Sequence, residues 1–122
     1  MKTQGITWHA VTHDADALEA WKSLLLNTMG LTPGMEMDGV SVYFMPNGSS
    51  LELYAPNAVP DYGYNDAIAF GFRVDDIEAA SAELDAAGCQ LLGEITRVPE
   101  MKYAYRHFKG PDGRVYGLNE QS

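Results

Sequence analysis

Cysteine, positive charge and long apolar runs are all scarce in this chain of 122 residues. It has one cysteine, Cys89, and eight Lys plus Arg against seventeen Asp plus Glu, for a formal net charge of −9. A single thiol excludes an intrachain disulfide and a cysteine-based zinc cluster, and it points to a reducing compartment, the cytoplasm. No stretch approaches the length of a membrane span, and the opening MKTQGITWHAVTHDADAL carries no cleavage signature, so no membrane segment or secretion by that route is expected. The acidic balance repels a phosphate backbone and an anionic lipid face, which removes nucleic acid and membrane from the expected partners. What is present is 46% hydrophobic and 20% charged residues, enough for one domain with its own core.

The pattern along the chain is α+β and occurs twice. Ile6, Trp8 and Ala10 alternate with Thr7, His9 and Val11, the period of a strand over Ile6 to Thr12 with Ile6, Trp8 and Ala10 on the core side. Asp14 and Asp16 offer helix caps, Glu19 completes a capping box with Asp16, and Leu18, Trp21, Leu25 and Met29 form a helical stripe that stops at Gly30. Strands follow near Met35 to Met37, over Val40 to Met45, and over Ser50 to Tyr54 after an Asn47-Gly48 hairpin turn. Pro56 to Asp66 has the composition of a connecting loop.

The order β-α-β-β-β then starts again. It comprises a strand Ala67 to Val74, a capping box Asp75 to Glu78, a stripe Ile77, Ala80, Leu84 and Ala87 ending at Gly88, and strands near Cys89 to Thr96, Tyr103 to Lys109 and Arg114 to Asn119. The helix-stop glycines Gly30 and Gly88 are offset by 58 and the turn glycines Gly48 and Gly113 by 65, so about seven extra residues in the second half are expected around Val98 to Lys102. The expected architecture is one domain over residues 1–122 made of two βαβββ modules, about 5–56 and 66–120. They form a curved mixed sheet with the helices outside and a concave cleft as the functional face.

These paired units, with "LLLNTMGL" from Leu24, "FRVDDIEAA" from Phe72 and "GPDGRVYGL" from Gly110, resemble the vicinal oxygen chelate superfamily over nearly the whole chain. That superfamily includes glyoxalase I, extradiol dioxygenases and the bleomycin and fosfomycin resistance proteins. The resemblance implies the glyoxalase/bleomycin resistance-like fold and a homodimer. In metal-using members it implies one ligand from the first and last strand of each unit, holding a divalent ion that chelates two oxygens of a substrate.

Carried over by position, the ligands of the first unit fall on His9 and Glu52. The helix motif counts back to Ala10, but strand parity selects His9, and with Leu51 and Leu53 in the core, Glu52 and Tyr54 enter the cleft. The second-unit positions fall on Ala69 or Ala67 and on Gly117, none of which binds a metal. Two donors hold a divalent ion weakly, so no tightly bound metal is expected. His9 and Glu52 remain as an acid/base pair or as a buried hydrogen-bonded pair. The small residues Ala67, Ala69, Gly71 and Gly117 with Val115, edged by Tyr43, Tyr54, Met45 and either Tyr103 or Tyr105, are expected to line a pocket for a sizeable, partly aromatic ligand.

The face of His107 is left open. His13 reads as a solvated loop residue, Cys89 as a small buried strand residue, and Tyr62 and Tyr64 as rings packed on a surface loop beside Asp61 and Asp66, a lid or dimer contact being the alternative. Arg73 and Arg106 read as surface ion pairs or carboxylate binders. The preferred function is a small-molecule-binding protein of the bleomycin resistance type, taking a neutral or cationic organic ligand. The alternative is an enzyme of the superfamily, a glyoxalase-like lyase or isomerase or a dioxygenase, using His9 and Glu52 as metal ligands or as proton carriers.

Overall fold

Glycine and aspartate mark where the helices and hairpins begin and end. A computed structural model of the chain describes residues 1–60, 62–64 and 66–121, so Asp61, Asn65 and Ser122 lie outside the described residues. Strand β1 (Thr3–Val11) leads into α1 (Ala15–Ser23), whose cap is Asp14 and not Asp16: its carboxylate accepts from the Ala17 N–H at 2.8 Å. This pairing satisfies one of the otherwise unbonded first-turn donors. The helix then widens into a π turn over Leu24–Thr28, with Met29 N–H bonded to the Leu24 carbonyl at 2.9 Å, and Gly30 ends it at φ 70°. A π turn takes an extra residue, so the expected stripe does not stay on one face. Leu25 is fully buried and Leu18 packs beside it, whereas Trp21 and Met29 are exposed.

Strands β2 (Thr32–Met37), β3 (Val40–Phe44) and β4 (Ser50–Tyr54) form two antiparallel pairings, the second closed by the expected hairpin with Gly48 at φ 86°. A single 3-10 turn, Pro56–Ala58, follows. The order then repeats with β5 (Ile68–Val74), α2 (Ile77–Ala86), β6 (Gln90–Val98), β7 (Tyr103–Lys109) and β8 (Val115–Gln121). Asp76, and not Asp75, caps α2 by accepting from Ala79 N–H at 3.0 Å, while Glu78 pairs with Arg97 at 2.7 Å. The extra residues of the second half fall in a longer β6 and in a 3-10 turn at Pro99–Met101, closed by Lys102 in the left-handed region.

The eight strands are hydrogen-bonded in the order β2-β3-β4-β1-β5-β8-β7-β6, a mixed sheet in which β5 and β8 run parallel. The chain divides into two compact units, Trp8–Ala69 (the N-terminal unit) and Met1–Thr7 with the residues from Phe70 onward (the C-terminal unit). In the first, Leu25, Tyr43 and Leu53 form a buried cluster to which Ala10, Leu18, Leu31 and Leu51 contribute. In the second, Val74, Ile77, Ala80, Ala104, Phe108 and Leu118 do the same, with Phe72, Leu84, Cys89 and Leu91 packed against them. Each fully buried aliphatic side chain contributes about 1.5–3 kcal/mol.

Trp8, expected on the core side of β1, is 41% exposed, and Ile68, at the first position of β5, is 66% exposed. Helix α1 has no fully buried residue: its Leu18 is partly buried against the cluster, Leu25 of the turn after it is buried within it, and Ala10 packs there without Trp8.

Candidate functional site

Alternation along β4 decides what becomes of Glu52. Leu51 and Leu53 belong to the N-terminal cluster, so Glu52, between them, projects from the opposite side of the strand, level with Val42 of β3. There it is only 6% exposed, and His9 of β1, 4% exposed, brings its Nε2 to 3.6 Å from Glu52 Oε1. The same carboxylate oxygen accepts a hydrogen bond from Tyr54 OH at 2.7 Å, and Tyr64 OH stands 3.5 Å from Tyr54 OH as its donor. Three rings enclose the group. The centroids of His9 and Tyr64 are 5.3 Å apart, those of His9 and Tyr54 5.9 Å, and those of Tyr54 and Tyr64 5.7 Å, the last two pairs edge to face.

Two opposing effects act on His9. A carboxylate close by favours the imidazolium, whereas burial disfavours it. Burial wins: it lowers the His9 pKa to about 4, so the ring is neutral at pH 7. Tyr54 moves the other way. Burial first, then the charge of Glu52, raises its phenol well above the usual value, so it serves Glu52 only as a hydrogen-bond donor.

The remaining expected residues scatter. Tyr43 is buried with Leu25 and Leu53 and is not beside Glu52, because the hairpin pairs it with Leu51. Ala67 is exposed, its carbonyl accepting from Val11 N–H at 2.7 Å, and Ala69 is half-buried. In the C-terminal unit Gly71 lies opposite Gly117 so closely that a Cβ on Gly71 would come within 2.8 Å of the Gly117 backbone. The missing side chain at Gly71 therefore serves strand approach and does not open volume. Val115 is buried, and Tyr105, half-buried, pairs with Asn119. His107 is buried level with Gly117, on the same side of β7 as Tyr103 and Tyr105. Arg106 Nε donates to the Gly93 carbonyl at 3.0 Å, and His13 is exposed beside Asp14.

Tyr64 was readable from sequence only as a packed loop ring, and its place against His9 has no periodic signal to announce it. A divalent metal has two donors here, His9 and Glu52, and no group of three or more His, Cys, Asp or Glu residues suited to a metal occurs among the described residues. Ala69 and Gly117 add none. The donor set does not fit a tight divalent centre.

A family model described as the Glyoxalase/Bleomycin resistance protein/Dioxygenase superfamily matches residues 6–115. The chain belongs to that superfamily. Its βαβββ repeat is the fold of solved structures at low identity. A superfamily member from Vibrio splendidus 12B01 is 15% identical, with 98% of this chain and 100% of that one covered, at a TM-score of 0.62. A hypothetical protein from Bacillus halodurans C-125 is 18% identical, with 99% and 94% covered, at 0.68. Streptomyces coelicolor methylmalonyl-CoA epimerase, solved in complex with 2-nitronate-propionyl-CoA, is 17% identical, with 100% and 98% covered, at 0.60. No curated protein matches the chain. No helix among the described residues is long and apolar enough to cross a membrane.

Proposed function

We propose that this superfamily member binds a small organic molecule without a tightly held metal, and that the His9, Glu52, Tyr54 and Tyr64 group of the N-terminal unit recognises it. The ligand is neutral or cationic and partly aromatic. The observation that carries this reading is a buried carboxylate set among three rings, with the neighbouring imidazole held neutral. Ring faces attract cations, Glu52 presents a carboxyl group among them, and His9 contributes no positive charge beside it. The acidic chain raises the local concentration of cations in the same sense. In this reading the protein is a cytoplasmic homodimer, each chain one domain of two modules, that meets neither nucleic acid nor membrane.

Calorimetric titration with benzylamine, benzyl alcohol and benzoate tests it. Benzylamine and benzyl alcohol bind, benzoate binds at least tenfold more weakly, and Glu52→Gln abolishes the preference for the amine. Equal affinity for benzoate and benzylamine, or no binding of any probe, overturns the proposal.

The 3.6 Å approach of His9 to Glu52 supports a second reading, a metal-assisted or proton-transferring enzyme of the glyoxalase, isomerase or dioxygenase kind. A base whose pKa is about 4 is poorly matched to proton abstraction near neutrality, which places this reading second. Stoichiometric nickel, zinc, iron or manganese in the purified protein, lost in His9→Ala, would reverse the order.

A further inference from the structure

We propose that the C-terminal unit carries a ligand site of its own, in which the buried carboxamide of Asn119 accepts a hydrogen bond from an N–H or O–H group on a planar molecule lying against Tyr103, Tyr105 and His107. Asn119, on β8, is 7% exposed. Its Nδ2 donates to Thr7 Oγ1 at 2.9 Å and to Tyr103 OH at 3.4 Å, which fixes the amide plane. The Oδ1 on the other end is buried and accepts no hydrogen bond among the described residues. Leaving a buried acceptor unmatched costs about 1–3 kcal/mol, a penalty that a ligand bearing a donor removes and one lacking a donor does not.

The surroundings define the rest of that ligand. Tyr103, Tyr105 and His107 succeed one another on one side of β7 with centroids 5.9 Å and 5.8 Å apart, a ladder of rings along the strand. Asn119 is level with Tyr105, and Gly117, level with His107, adds no side chain to the row. Tyr103 and Tyr105 are half-buried, so the ladder is reachable while the amide beneath it is not open to bulk water. A flat molecule stacked on these rings can direct a donor to Oδ1. An aromatic carboxamide has that chemistry.

Benzamide and methyl benzoate, the same ring with and without an N–H, separate recognition from mere ring contact. In 1H-15N spectra of the full chain, benzamide is expected to shift the Asn119 side-chain pair and the backbone amides of Tyr105 and His107. Its Kd should be at least tenfold below that of methyl benzoate. Asn119→Leu removes the difference. Should that variant fail to fold, Tyr105→Ala serves, and it weakens both probes while leaving their ratio intact. Glu52→Gln leaves the shifts at Asn119, Tyr105 and His107 and the Kd read from them unchanged, since this site does not depend on the function proposed above. Equal affinity for the two probes, shifts confined to His9 and Tyr64, or no shift up to the solubility limit of either probe would each overturn the inference.

Discussion

The two βαβββ units place different chemistry on equivalent positions. With the offset of 65 between the turn glycines, Leu53 corresponds to Leu118 and Tyr43 to Phe108, and all four are core residues. On the other side of the same strands the match fails. Glu52 corresponds to Gly117, Tyr54 to Asn119 and Val42 to His107. The pair Val42 and Glu52 thus becomes His107 and Gly117, with the large polar member moved to the neighbouring strand. Packing holds the helix-facing positions to hydrophobic residues of similar size, whereas the opposite positions are free to take up different ligand chemistry. The N-terminal unit offers a carboxylate among rings. The C-terminal unit offers an amide beneath rings.

The sharpest way to break this comparison is acid. His9 titrates near its ordinary value of 6.5 when unfolded and at about 4 when folded, so the unfolded chain takes up the proton first. The stability held above pH 6.5 is lost as pH falls to about 4, by about 3 kcal/mol from this residue. The variant His9→Gln isolates the His9 share. Urea midpoints at pH 7 and pH 4 are expected to converge by that amount in the variant relative to the native chain. An unchanged difference between the two pH values would show that His9 is not held neutral.

Gly71→Ala probes the other unit. Its Cβ would meet the Gly117 backbone, which cannot yield as the tip of a side chain can, so β5 and β8 must part. A cost of about 2 kcal/mol in urea denaturation is expected, typical of overpacking. A neutral result would restore the idea that glycine there leaves room for a ligand. Tyr54→Phe then sharpens the N-terminal half. Glu52 loses a 2.7 Å hydrogen bond without change of shape, and about 1–2 kcal/mol of stability should go with it. The same variant should weaken benzylamine binding less than Glu52→Gln does, because the carboxylate remains.

How much of this was legible in the sequence differs by feature. The repeat, both hairpin turns and both helix stops were readable because glycine at positive φ leaves a local signature. So was the pairing of His9 with Glu52, since strand parity and flanking leucines fix the side from which Glu52 projects. Tyr43 sits level with Leu51 because the loop between the bonded Met45 and Ser49 holds three residues, Pro46, Asn47 and Gly48, whereas the two-residue turn that Asn-Gly suggests would have set Tyr43 opposite Glu52. His107 lay open because Tyr-Ala-Tyr-Arg-His-Phe-Lys alternates poorly, and only the burial of Ala104 and Phe108 reveals its side. The exposure of Trp8 and Trp21 was not readable. The π turn that follows α1 is likewise announced by no residue of LLLNT.

The smallest expected effect tests whether the units remain alike where chemistry plays no part. Asp14 and Asp76 cap α1 and α2 through bonds of 2.8 and 3.0 Å to the residue three positions on, and both are exposed, so neither contributes through burial. Replacing either by alanine should cost about 1 kcal/mol, read as a fall in the urea midpoint at constant slope. The caps serve the same backbone N–H groups in both units, so the two losses should agree within a few tenths of a kcal/mol, in contrast to the unequal effects at Glu52 and Asn119. If Asp14→Ala proves nearly silent while Asp76→Ala does not, the difference would come from α1 itself. That helix has no fully buried residue, and its fraying would cost the N-terminal cluster little beyond Leu18 and Leu25.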